Sequence, residues 1–113
     1  MTPPVPCKLQ IIGINGTAMS SKPADVNMID INKAGCRIHS ALDLKANLYQ
    51  ILVNILIEFN DTPYIFEGEI KWQKALDDQT LSYGIEFLIS EELQEKIQIE
   101  LRKLAAERKI VVL

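Results

Sequence analysis

A chain of 113 residues is long enough for one hydrophobic core and too short for two, so it reads as a single domain. Its 48% apolar and 24% charged content is that of an ordinary globular protein. A net charge of −3 leaves no surplus basic face, which argues against a nucleic-acid binder held by phosphate contacts. No apolar run approaches the roughly 20 residues needed to cross a bilayer, and Met1-Thr2-Pro3-Pro4 lacks the charged and apolar regions of a signal peptide. The expected setting is cytoplasmic, without membrane insertion, and Cys7 and Cys36 are expected as buried free thiols.

In chain order, residues 1–6 hold three of the five prolines and predict a flexible N-terminal segment. Residues 7–113 follow as one domain, with strands over about 7–89 and a helix over about 90–108. From Cys7 the pattern alternates, Cys7, Leu9 and Ile11 against Lys8 and Gln10. Asn15-Gly16 is the strongest hairpin signal, a type I′ turn, and residues 17–24 allow only a short or interrupted strand before Pro23. The runs Asp25–Ile31 and Cys36–Ser40 flank a polar corner, Asp30-Ile31-Asn32-Lys33-Ala34-Gly35. There an Asx side chain can bond its own backbone and Gly35 can take a positive φ. Residues 41–47 predict a connection.

Tyr49, Ile51, Val53, Ile55, Ile57 and Phe59 then share one face of the clearest strand. Tyr64, Phe66, Ile70 and Trp72 form a second apolar face. Gly68 interrupts it, as a β-bulge or a close neighbouring backbone would explain. Leu81, Tyr83, Ile85, Phe87 and Ile89 make a third, so the three strands predict an antiparallel meander. Ser90 then caps a helix whose Leu93, Ile97, Leu101, Leu104 and Ala105 form one apolar stripe. The apolar tail Ile110–Leu113 is open between a last strand, an interface and disorder.

Catalysis has little support. His39 is the sole histidine, no cysteine or histidine stands at metal-ligand spacing, and no nucleophile elbow or phosphate-cradling glycine loop occurs. Glu67, Glu69 and Glu86 could pair across strands, but alternating charges are also what a solvated sheet face looks like. The expectation is a non-enzyme without metal or cofactor. A β-barrel binding single-stranded nucleic acid is disfavoured by the acidic charge and the 6% aromatic content.

Asp30-x-Asn32-x-x-Gly35 resembles the second signature of PilZ domains, an Asp or Asn, then Ser, then Gly at this spacing. Phe66-Glu67-Gly68-Glu69-Ile70-Lys71-Trp72 and Tyr83-Gly84-Ile85-Glu86-Phe87 resemble that family's fifth and sixth strands, in the same order. The resemblance implies a mainly β fold, a six-stranded antiparallel PilZ-like β-barrel with a C-terminal α-helix packed on it. It also implies a role in bacterial second-messenger signalling as a cyclic di-GMP receptor or effector.

Carried over residue by residue, Asp30 would accept from guanine N1 and N2, Asn32 would replace the serine contact, and Gly35 would allow the turn. The family's first signature, two arginines separated by three residues, has no counterpart, since residues 1–8 offer only Lys8. Lys8 and, beyond the corner, Arg37 complete the set of candidate ligand-binding residues. A lysine replaces an arginine poorly, because it offers a point charge and no fork. Two explanations stay open: a PilZ-like adaptor that binds a protein partner without nucleotide, or an arginine-bearing segment upstream of Met1.

Overall fold

The computed structural model describes residues 4–59 and 61–106. Its strands are β1 (Val5–Ile14), β2 (Thr17–Ala18), β3 (Ala24–Asn32), β4 (Gly35–Ser40), β5 (Ile51–Phe59), β6 (Thr62–Ala75) and β7 (Leu81–Phe87), followed by helix α1 (Glu91–Ala106). Six of them run β1-β3-β4-β7-β6-β5 and close through a β5–β1 pairing, every pair antiparallel. The result is a six-stranded antiparallel β-barrel, with β2 a two-residue extension on β1. Closure removes the unpaired edges that an open sheet of this size would expose. β1 takes in Val5 and Pro6 of the expected lead-in, pairing them with Met28 and Asn27.

Period-two alternation places the core. On β5, Ile51, Val53, Ile55, Ile57 and Phe59 are buried while Glu58 is exposed. Tyr49, expected to begin this face, precedes the strand and is exposed. Its amide and that of Leu48 donate to the Lys45 carbonyl in a turn, so neither is free to join the ladder. Asn15 and Gly16 both have positive φ, at 50° and 82°, as a type I′ turn requires. At Gly68 a side chain would press on Ile85 and on the Glu86 carbonyl, so a close neighbour accounts for that glycine.

The bulge in β6 lies three residues further on. Ile70 pairs with Ile85 and Trp72 with Gly84, so Lys71 is the extra residue. That shift reverses the facing of everything after it. Trp72, expected on the apolar inner face, is turned outward and is 42% exposed, while Gln73 turns toward the barrel end in its place. There the Gln73 side chain accepts from the Ala46 amide at 2.8 Å and donates to Asp43 Oδ1 at 2.8 Å.

Tyr83 is wholly buried, and its hydroxyl donates to the Leu42 carbonyl and accepts from the Leu44 amide at 3.0 Å. Burial pushes its phenol above the ordinary tyrosine range. Together Tyr83 and Gln73 hold the 41–47 connection over the barrel end. Tyr83→Phe strands one carbonyl and one amide, so it is expected to destabilise the fold by about 1–3 kcal/mol, read by urea unfolding. An unchanged midpoint would show that this connection is not anchored through the hydroxyl.

Ser90 caps α1, its Oγ accepting from the Leu93 amide at 3.2 Å and its carbonyl from the Gln94 amide at 3.0 Å. Glu91 and Glu92 complement the positive end of the helix. Ile97, Leu101 and Leu104 are buried in the same core cluster as the strands, with Leu93 packed against it. The helix residues expected beyond Ala106 and the apolar tail lie outside the described residues. Cys7 and Cys36 are buried free thiols, and burial pushes Cys7 up to about 12 and raises Cys36 as well.

Candidate functional site

The polar corner is a hairpin in which Lys33-Ala34 join β3 to β4 and Asn32 pairs with Gly35. Asn32 Oδ1 accepts from the amides of Ala34 at 2.8 Å and Gly35 at 3.1 Å, the Asx bonding expected of this sequence. Gly35 does not take the expected positive φ, which among the described glycines falls to Gly16 alone. Its reason is steric. A Cβ at Gly35 would collide with the backbone carbonyl of Ile85 on β7, while the Phe87 amide donates to the Ala34 carbonyl at 2.8 Å.

Asp30 reaches this surface through a second bulge. Val26 and Met28 face inward, and strict alternation would send Asp30 inward after them. Instead Met28 pairs with Ile38 and Asp30 with Arg37, leaving Ile29 as the extra residue. The shift turns the Asp30 carboxylate outward and returns Ile31 to the core. It also settles where Arg37 points. Arg37 Nη2 lies 2.7 Å from Asp30 Oδ2, with the guanidinium side chain 44% exposed.

The registers align one row across four neighbouring strands. Asp30 on β3 pairs with Arg37 on β4, Arg37 with Gly84 on β7, and Gly84 with Trp72 on β6. Gly84 contributes no side chain, and the Trp72 indole lies across its backbone, where a Cβ would strike Nε1. Asp30, Asn32, Gly35, Arg37 and Trp72 thus line one open groove of about 480 Å³. Lys71 and Glu86 also border it. Its charges are largely matched, Arg37 against Asp30 and Lys71 against Glu69 at 3.3 Å.

This hairpin sits in a chain whose residues 4–104 match the family model of the PilZ domain. The chain belongs to the PilZ domain family. No curated protein matches it. PilZ domains are a family of cyclic di-GMP-binding modules and are typically non-catalytic receptor domains.

In this PilZ domain Asp30, Asn32 and Gly35, which resemble the second signature, share the groove with Arg37, whereas Lys8 is elsewhere. Lys8 pairs with exposed Asp25 at 2.9 Å, five residues from Asp30 along β3, a separation of about 16 Å. Glu69 and Glu86 are direct partners across β6 and β7, and Lys71 offsets the first of them. His39, two residues beyond Arg37, is held below the ordinary histidine range by partial burial and by the Arg37 charge, which Asp30 opposes. Among the described residues no cluster of three or more His, Cys, Asp or Glu is placed to hold a metal, and no helix is long and apolar enough to cross a membrane.

One residue of the groove escaped sequence reading, Trp72, which was expected in the core. Arg37 was among the candidates, with its direction open. For Arg37 a signal existed: the apolar positions Val26, Met28 and Ile31 step by two and then three, which marks a phase break at Ile29. For Trp72 there was none, because an aromatic residue exactly on phase hides the bulge before it.

Proposed function

We propose that this PilZ domain is a receptor for cyclic di-GMP in bacterial second-messenger signalling in the cytoplasm, acting by binding and not by catalysis. The observation that carries this reading is the Asp30–Arg37–Gly84–Trp72 row. It sets a carboxylate, a guanidinium and an exposed indole along one groove beside the second-signature hairpin. A carboxylate suits the N1 and N2 donors of guanine, a guanidinium suits O6 and N7, and an indole suits the face of a base.

The groove cations are already matched by carboxylates, so little attraction remains for the two phosphates. Residues 1–8 hold no arginine, so these residues do not supply the two charge-assisted contacts of about 1.5–3 kcal/mol each that a pair would make. Affinity is therefore expected in the micromolar range or weaker. Thermal unfolding tests this directly, because ligand at about 100 times Kd adds about 2.7 kcal/mol to the folded state and raises Tm by several degrees.

A second reading has its own support. Asp30 is engaged by Arg37, and Asn32 Oδ1 by two backbone amides, as in a corner that serves only the fold. Leu56 pairs with Ile65 on the outer surface, where Ile65 is 61% exposed. On that reading the domain is an adaptor for a protein partner, and cyclic di-GMP leaves Tm unchanged.

A further inference from the structure

We propose that the outer face of β5 and β6 is a docking surface for a basic amphipathic helix of a partner protein. This face lies on the barrel wall, and its use does not depend on cyclic di-GMP in the groove. Strand alternation places it. Ile55, Ile57 and Phe66 are buried, so Leu56, Glu58, Ile65 and Glu67 point away from the core. Leu56 pairs directly with Ile65, which is 61% exposed. Leu88, 43% exposed just beyond β7, donates its amide to the Glu67 carbonyl at 2.7 Å and so stands beside β6.

The registers set carboxylates around these apolar side chains. Glu58 follows Leu56 by two residues on β5, and Glu67 follows Ile65 by two on β6. Because the strands are antiparallel, the two carboxylates lie on opposite sides of the Leu56–Ile65 pair. Glu86, exposed on β7, is the outward neighbour of Leu88. Among the described residues none of these three glutamates makes an ion pair. The cations bordering the face, Lys8 opposite Leu56 and Lys71 on β6, are held by Asp25 and Glu69. The face is thus apolar at its centre and negative at its rim.

A partner cannot reach it by adding a strand, because β5 is already paired with β1 and β6, and β6 with β7. It must dock through side chains, as a helix does when it lays an apolar stripe on a surface. A two-fold copy of this chain would meet the face with the same face. Carboxylates from both copies would then be buried with no free cation to receive them. The same charge repels anionic lipid and nucleic acid. A helix with leucines at spacings of three and four, flanked by lysines or arginines, answers both features. Its stripe covers Leu56, Ile65 and Leu88, and its cations reach Glu58 and Glu67.

The test is fluorescence anisotropy of a labelled synthetic helix of about 18 residues, leucines on one face and lysines beside them, titrated with the 113-residue chain. A counterpart with glutamates in place of the lysines is the control. Wild type is expected to bind the lysine helix, less tightly as salt rises, and the glutamate helix at least about tenfold more weakly. Ile65→Lys is expected to weaken the lysine helix by about tenfold or more, and Glu67→Gln to weaken it severalfold and flatten the salt dependence. Ile65→Lys adds a cation between two carboxylates, so its urea midpoint is expected to match wild type. Glu92→Gln, exposed on a helix that lies against β3, is expected to change nothing. No binding of the lysine helix overturns the proposal, as does equal weakening by Glu92→Gln. A dimer in sedimentation equilibrium that Ile65→Lys dissolves overturns it in favour of a second copy. A lowered urea midpoint for Ile65→Lys overturns it by showing that the chain itself covers the face. Cyclic di-GMP titrated into the same samples reads the groove separately, so failure here leaves the receptor reading standing.

Discussion

Phe66→Ala is expected to lower the unfolding free energy by about 3–5 kcal/mol, a large part of the 5–15 kcal/mol that holds a domain of this size together. Phe66 is wholly buried on β6 and lies opposite Ile55 of β5. Its ring centroid stands 5.2 Å from Phe87, 5.7 Å from Tyr64 and 6.2 Å from Phe59. These side chains come from β5, β6 and β7, so the ring fills space between strands whose backbones are fixed by the ladder. Closed strands cannot slide together to fill the void, and the cavity term adds to the lost burial. Urea unfolding measures the loss. A change below about 1 kcal/mol would show that the aromatic cluster can repack and that the barrel is softer than its registers imply.

Gly35→Val is expected to cost about 3 kcal/mol and to displace the groove. The obstacle at Gly35 is the backbone carbonyl of Ile85, which belongs to a paired strand and cannot rotate away as a side chain would. Relief requires β4 to separate from β7 at the pairs Gly35–Glu86 and Cys36–Ile85. It also strains the Phe87 amide bond to Ala34, which fastens the hairpin tip. Since Arg37 lies two residues along β4, the substitution disturbs the groove and the fold together. A stable Gly35→Val protein with an unshifted unfolding midpoint would show that the close approach of β4 to β7 is not needed.

Much of the architecture is legible in the sequence for simple reasons. Asn15-Gly16 has few conformations other than a type I′ turn, Ser90 before an acidic first turn has few roles other than a cap, and Ile51 to Phe59 alternates without a break. What escaped is the work of two inserted residues. Ile29 and Lys71 each reverse the facing of the strand beyond them, and each reversal delivers a groove residue, Asp30 in one case and Trp72 in the other. A period-two pattern records which residues share a face only while the ladder is unbroken. Gly35 was misjudged for a different reason. Local sequence can propose a φ angle, but a collision with Ile85, fifty residues away along the chain, is visible only once β4 and β7 are paired.

The candidate surface and the barrel that supports it are thus one object. The bulges at Ile29 and Lys71 set a carboxylate, a guanidinium and an indole into one groove, at the hairpin that resembles the family's second signature. The measurement that tests the receptor reading most directly is isothermal titration of this chain with cyclic di-GMP, in parallel with Asp30→Ala. Binding in the micromolar range that disappears in the variant is the expected result. No detectable heat from the wild-type chain at high protein concentration would contradict it and leave the adaptor reading in its place.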